Sequence, residues 1–171
     1  RGYELDPFAP VMANNYAWQC YWDRDYDCAM QLVRSSLATG PYPGAWRVLG
    51  LVYAQTGKPD SALLAVRRAI DTGPERPGIL GILAYVQALA GKEPEARETL
   101  RRAKQQPREP FDIGRAHIAL GEADSAFAWI ERASWQWPHR ALLSDPSLDP
   151  LRNDPRFARL AARVTQEMGI Q

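Results

Sequence analysis

Between residues 45 and 70 the apolar positions recur at helical spacing. Trp46, Leu49, Gly50 and Tyr53 fall at i, i+3, i+4 and i+7, one stripe along a helix. Ala62, Val66 and Ala69 make a second stripe after a break at Gly57-Lys58-Pro59. Glycine suits the position that ends a helix, and proline suits the first turn of the next, where its missing N–H costs nothing. The pattern predicts two helices of roughly 13 residues folded into a hairpin. Gly50 and Ala62 are the small pair that lets the two backbones approach. A single hairpin of this kind cannot bury its own seam, so it must be stacked against others.

The pattern recurs along the chain. Ala17 takes the position of Gly50 and Ala29 that of Ala62, at the same spacing of twelve. A third unit carries Leu80, Leu83 and Ala84, a turn from Gly91 to Pro94, then Ala96, Leu100 and Ala103. Its first helix is apolar nearly all round, which predicts cover on both sides. A fourth carries Gly114 and His117, a turn at Gly121, then Ala126, Ile130 and Ala133. The small positions 17, 50, 84 and 114 are separated by 33, 34 and 30 residues. Four units at that period are very hard to explain by chance.

After Trp135 the period fails. Asp145-Pro146, Asp149-Pro150 and Asp154-Pro155 follow closely, each an N-cap residue before a first-turn proline and each able to start a short helix. The last begins a helix with Phe157, Leu160, Ala161 and Val164 on its apolar face and Arg156, Arg159 and Arg163 facing outward. A stack of repeats needs a terminal element with a polar outer face, and this segment is expected to supply it. Trp135 and Trp137 are expected to seal its junction.

The Trp, Leu-Gly and Tyr of the first stripe, the Ala, Val and Ala of the second, and a closing Pro74 resemble the tetratricopeptide repeat of about 34 residues. The resemblance implies an all-α, right-handed solenoid: residues 1–9 the tail of an upstream repeat, 10–42, 43–76, 77–109 and 110–137 four repeats, 138–171 a C-terminal cap. Residues 1–7 look like the end of a repeat whose beginning lies upstream, so the chain is expected to be a piece of a longer protein. The segments 5–10, 121–133 and 149–157 are also similar to the C-terminal repeat arrays of bacterial winged-helix regulators, adenylate-cyclase-like proteins and serine/threonine protein kinases. That similarity implies a sensory or scaffolding module. Cys28 stands where the family usually has an acidic residue, and His117 where it usually has tyrosine.

Composition narrows the function. The 21 basic and 20 acidic residues nearly cancel, which gives no support to a nucleic-acid partner. The most apolar stretch, residues 79–90, is too short to span a bilayer, so no membrane insertion by this chain is expected. No phosphate-binding, dinucleotide, zinc-protease or C-x-x-C motif occurs; no cofactor, metal or catalytic residue is predicted. His117 reads as a core histidine with one satisfied nitrogen. Glu93, Glu95 and Glu98 read as a solvated helix start. Cys20 and Cys28 lie on the two helices of one hairpin near its turn. They fit either two small buried thiols or a disulfide, and a disulfide would mean an oxidising, extracytoplasmic setting in a bacterium rather than the cytoplasm.

The remaining signal is the face that stacked repeats leave open. In this architecture the first helix of each repeat lines a concave groove, here through Asn14, Trp18, Tyr21 and Trp22, then Arg47, Leu51 and Gln55, then Gly81 and Tyr85, then Arg108, Phe111 and Arg115. Aromatic residues and arginines are enriched at binding hot spots. The expected partner is a protein or peptide. The alternatives are a subunit that stacks end to end on copies of itself, and a ligand-sensing regulatory domain of a larger signalling protein.

Overall fold

The computed structural model describes residues 9–73, 77–105, 109–133 and 143–167. Every regular element among them is helical. The chain divides into two compact units, residues 1–75 and 76–171.

The first unit holds two hairpins, α1 (Ala9–Trp22) with α2 (Tyr26–Ala38), and α3 (Pro43–Gln55) with α4 (Pro59–Asp71). The helix ends follow from local chemistry. Pro43 and Pro59 open α3 and α4. The Asp25 carboxylate caps α2 by accepting from the Cys28 N–H at 3.0 Å. Thr39, Thr56 and Thr72 close α2, α3 and α4, each hydroxyl donating to a carbonyl of the turn before it. Burial of α3 is centred differently from the expected seam. Ala45, Val48, Leu51 and Val52 are buried, whereas Trp46, Leu49 and Tyr53 are only half-buried. The cause is that α3 packs against α4 on one side and against α1 and α2 on the other. A second buried stripe is added, and the first is not the deepest. The small pair is where the sequence puts it: a Cβ on Gly50 would lie 3.5 Å from the Ala62 carbonyl oxygen and 2.6 Å from Val66 Cγ2.

The second unit holds α5 (Pro77–Leu89), α6 (Glu93–Gln105), α7 (Pro110–Ala119) and α8 (Ala123–Ile130), followed by a 3-10 helix (Pro146–Leu151) and α9 (Pro155–Glu167). Helix α5 packs against both α6 and α7 and is buried on nearly every side, as its composition requires. On α6, Glu93 pairs with Arg97 and Glu98 with Arg101. These are exposed helical pairs worth little stability.

The three Asp-Pro pairs do not all start helices. Asp145 starts the 3-10 helix by accepting from Ser147 N–H at 2.9 Å, and α9 begins at Pro155 after Asp154. Asp149-Pro150 instead lies inside the 3-10 helix. The apolar face of α9 behaves as expected. Phe157, Leu160 and Val164 join Ile118, Phe127, Ile130, Leu148 and Leu151 in one core. Two of its arginines are not simply outward. Arg156 bonds Asp154 and Asp124 and lies 4.4 Å from the centre of the Phe127 ring, and Arg163 donates to the Glu131 carbonyl. They bind α9 to α8, since an apolar face of three large residues leaves its margins open to polar anchoring. Arg156 also holds the Asp154 carboxyl down at about 2. Trp135 and Trp137 lie outside the described residues.

Candidate functional site

In the first unit, α1 and α3 are neighbours and carry most of the expected binding residues. Trp18 and Trp22, one helical turn apart, hold their rings 5.6 Å apart at a tilt of 32°. Across the helix boundary the Arg47 guanidinium sits 5.9 Å from the centre of the Trp18 ring, a cation–π contact. All three are half-buried, as is Gln55, two turns beyond Arg47 on α3. The rings and the guanidinium thus hold one another in place while keeping area exposed.

Not every expected residue is available. Tyr21 and Leu51 are fully buried. Tyr21 meets Trp18 edge-on at 5.8 Å and lies 6.3 Å from the Tyr26 ring, so it supports Trp18 from beneath rather than facing outward. Asn14 is buried too, its Oδ1 close to Gly44 at the start of α3 and with no hydrogen-bond partner among the described residues. These positions are in groove register along their own helix, but α1 and α3 close over them.

In the second unit, Tyr85 is buried and Phe111 half-buried. Arg108 lies outside the described residues. Arg115, expected on the open face, is 2% exposed and is the centre of a buried polar cluster. It donates to Asp112, to Asp145 at 2.7 Å and to the Ser147 hydroxyl at 3.0 Å, with the Phe111 ring 4.7 Å away. Asp145 lies 30 residues downstream, so the segment after α8 folds back to cover Arg115. Gly81 is pressed against the same place: a Cβ there would stand 2.7 Å from the backbone carbon of Asp112. Of the alignment in the sequence, only Asp112 and Arg115, three residues apart, could have revealed this pairing.

His117 is a core histidine, as its position suggests. Its Nδ1 faces Glu122 Oε2 at 2.5 Å, and its Nε2 is buried with no hydrogen-bond partner among the described residues. Burial is the larger influence and outweighs the Glu122 hydrogen bond, so the imidazole pKa lies below its usual value. Burial also acts against the Glu122 carboxylate, but the bonds from Arg97 and His117 together hold it ionised below the usual range. The sign for stability follows. The folded chain holds His117 neutral to a lower pH than the unfolded chain, which protonates it at about 6.5, so this contribution is present above that pH and lost as the pH falls below it. Urea midpoints are expected to drop between about pH 7.5 and 5.5 in the parent chain. They should drop less in His117→Gln, and equal slopes would remove His117 from the account.

Cys20 and Cys28 are joined in a disulfide with their Cα atoms 5.8 Å apart. Of the two readings open in the sequence, the bridge is the one found. Both residues are half-buried. Among the described residues no three histidine, cysteine, aspartate or glutamate side chains gather as metal ligands, and no helix is long and apolar enough to cross a membrane.

Antiparallel helical pairs at a fixed period, closed at small residues, define a helical-repeat scaffold. The family model described as tetratricopeptide repeat matches residues 23–77 and 47–110, together half of the chain. The chain belongs to the tetratricopeptide repeat family. One solved structure supports the same fold. The structure titled MamA AMB-1 C2221 aligns with a TM-score of 0.50 at 18% identity over 95% of this chain and 90% of that one. MamA AMB-1 P212121 aligns with a TM-score of 0.49 at 18% identity over 96% and 85%. No match is found among curated proteins. Membership in this family makes the chain a scaffold for protein–protein interaction, a class whose repeats serve binding rather than catalysis.

Proposed function

We propose that the chain binds a segment of a partner protein on the face formed by α1 and α3, with Trp18, Trp22, Arg47 and Gln55 as the contact residues. The observation that carries the reading is the stacked set of Trp22, Trp18 and Arg47. Each is held by a neighbour and each keeps exposed area. Large side chains ordered before binding lose little conformational entropy when a partner arrives. Aromatic rings and arginine are also the residue types that dominate interface energetics. A carboxylate on the partner would complement Arg47, and apolar side chains would seat on the tryptophans.

The test uses peptides selected against the chain from a random display library. Trp18→Ala and Arg47→Ala should each weaken the selected peptides by about 30-fold, the size of an interface hot spot. Arg101→Ala, on the exposed pair of α6, should leave them unchanged. Affinity that survives both of the first two variants would place binding elsewhere. A second reading, end-to-end self-association, is favoured by Val11, Met12 and Tyr16 on α1, of which Tyr16 is 60% exposed. Sedimentation velocity distinguishes the two. Growth into large particles with concentration supports self-association, and a single species near 19 kDa rejects it.

A further inference from the structure

Four hairpin turns among the described residues share one backbone geometry. In each, a residue of positive φ follows the first helix: Arg24 at 63°, Gly57 at 70°, Gly91 at 72° and Gly121 at 74°. The residue after it donates its N–H five residues back, Asp25 to Cys20, Lys58 to Tyr53, Lys92 to Gln87 and Glu122 to His117, at 2.9 Å in every case. This is the left-handed helix end that glycine normally occupies, because a Cβ there crowds the following carbonyl. Three of the four turns obey the rule. The first places an arginine at that position.

The first turn is also the one that is bridged. Cys20 supplies the carbonyl that accepts the returning N–H, and Cys28 is the residue whose own N–H is held by the Asp25 cap. The disulfide therefore spans the turn from the last helical bond of α1 to the first capped turn of α2. We propose that the Cys20–Cys28 bridge is a redox latch, which closes a turn that Arg24 would otherwise leave weak and so orders the end of α1 that carries Trp18 and Trp22. Its chemistry is exchange with a dithiol. One thiolate of the dithiol attacks a cysteine sulfur, the Cys20–Cys28 bond breaks, and the second thiolate resolves the mixed disulfide. Cys20 and Cys28 together gain two electrons and two protons and become thiols, and the dithiol loses as many and becomes a disulfide. In an oxidising compartment the latch is closed. Contact with a reducing dithiol opens it. The consequence for binding rests on the proposed α1–α3 face, but the latch itself does not.

Amide hydrogen exchange of the full chain with and without dithiothreitol tests it, since exchange reports local opening whether or not a partner binds there. Reduction should speed exchange across residues 19–29 by about tenfold in the parent chain, the size of a left-handed penalty no longer held by the bridge. In Arg24→Gly, where the turn needs no latch, the same reduction should change exchange by no more than about twofold. Unchanged exchange in the reduced parent overturns the proposal. So does equal loosening in Arg24→Gly, which would make the bridge a general staple unrelated to the turn. Loss of peptide affinity on reduction, alongside the exchange change, would add that the face depends on the latch. Retained affinity with the exchange change would show that binding does not need the latch, overturning its effect on the Trp18–Trp22 end of α1 and leaving its effect on the turn standing.

Discussion

Arg115→Ala is expected to destabilise the second unit by about 3–5 kcal/mol, the usual cost of removing one partner from a buried charge cluster. The guanidinium pairs with both Asp112 and Asp145, which are nearly inaccessible to solvent. Without it two carboxylates remain in a low-dielectric setting, each still committed to the fold. Asp145 cannot turn to solvent, because its Oδ1 accepts from both the N–H and the hydroxyl of Ser147 to start the 3-10 helix. The loss should therefore spread from α7 to the segment that places Leu148 and Leu151 in the terminal core. Urea denaturation measures the free energy, and hydrogen exchange over residues 143–151 shows whether that segment is released first. Arg115→Lys should retain part of the stability, since an ammonium keeps the charge but cannot reach Asp112, Asp145 and Ser147 together. A loss below about 1 kcal/mol for the alanine variant would mean that the cluster is hydrated and structurally minor.

Gly81→Ala should cost about 1–3 kcal/mol, against the gain of nearly 1 kcal/mol that such a change brings in an unobstructed helix. The reversal comes from what the new methyl meets. It would lie 2.7 Å from the backbone carbon and 2.9 Å from the carbonyl oxygen of Asp112. Backbone cannot rotate away, so α5 and α7 must separate, and Asp112 is drawn off Arg115 as they do. Gly50 is a useful contrast, for there the nearest atom is a methyl of Val66, the end of a side chain. Thermal melts of the two alanine variants compare the cases directly. A Gly81→Ala chain as stable as the parent would show that the two helices are not in backbone contact.

The repeat was legible because its signal is local. Twelve residues separate the small pair of one hairpin, and the pair recurs at positions 17, 50, 84 and 114 whatever lies between. Burial of α3 was less legible, since a 3.6-residue stripe marks one face and α3 has neighbours on two. The open face was read from register along each helix, which gave equal standing to Trp18, Trp22 and Arg47, half-buried in the structure, and to Tyr21, Leu51 and Arg115, which are buried. What separates these sets is which neighbouring element covers each position. For Arg115 that element comes from beyond the periodic part of the chain, where register carries no information. Arg24 shows the opposite case. The spacing that relates the small residues also relates Arg24 to Gly57, Gly91 and Gly121, but spacing says nothing of φ, and an arginine in a turn attracts no notice until its backbone is seen to be left-handed.

The docking of α9 has a consequence for how such an array can evolve. Phe157, Leu160 and Val164 occupy the apolar surface left by α8, and Arg156 and Arg163 bind to Asp124 and the Glu131 carbonyl at its margins. A duplicated hairpin inserted after α8 would find that surface taken and would also displace the lid from its own hairpin. Lengthening by duplication is thus confined to positions ahead of Pro110, and the last hairpin and its lid must be inherited together.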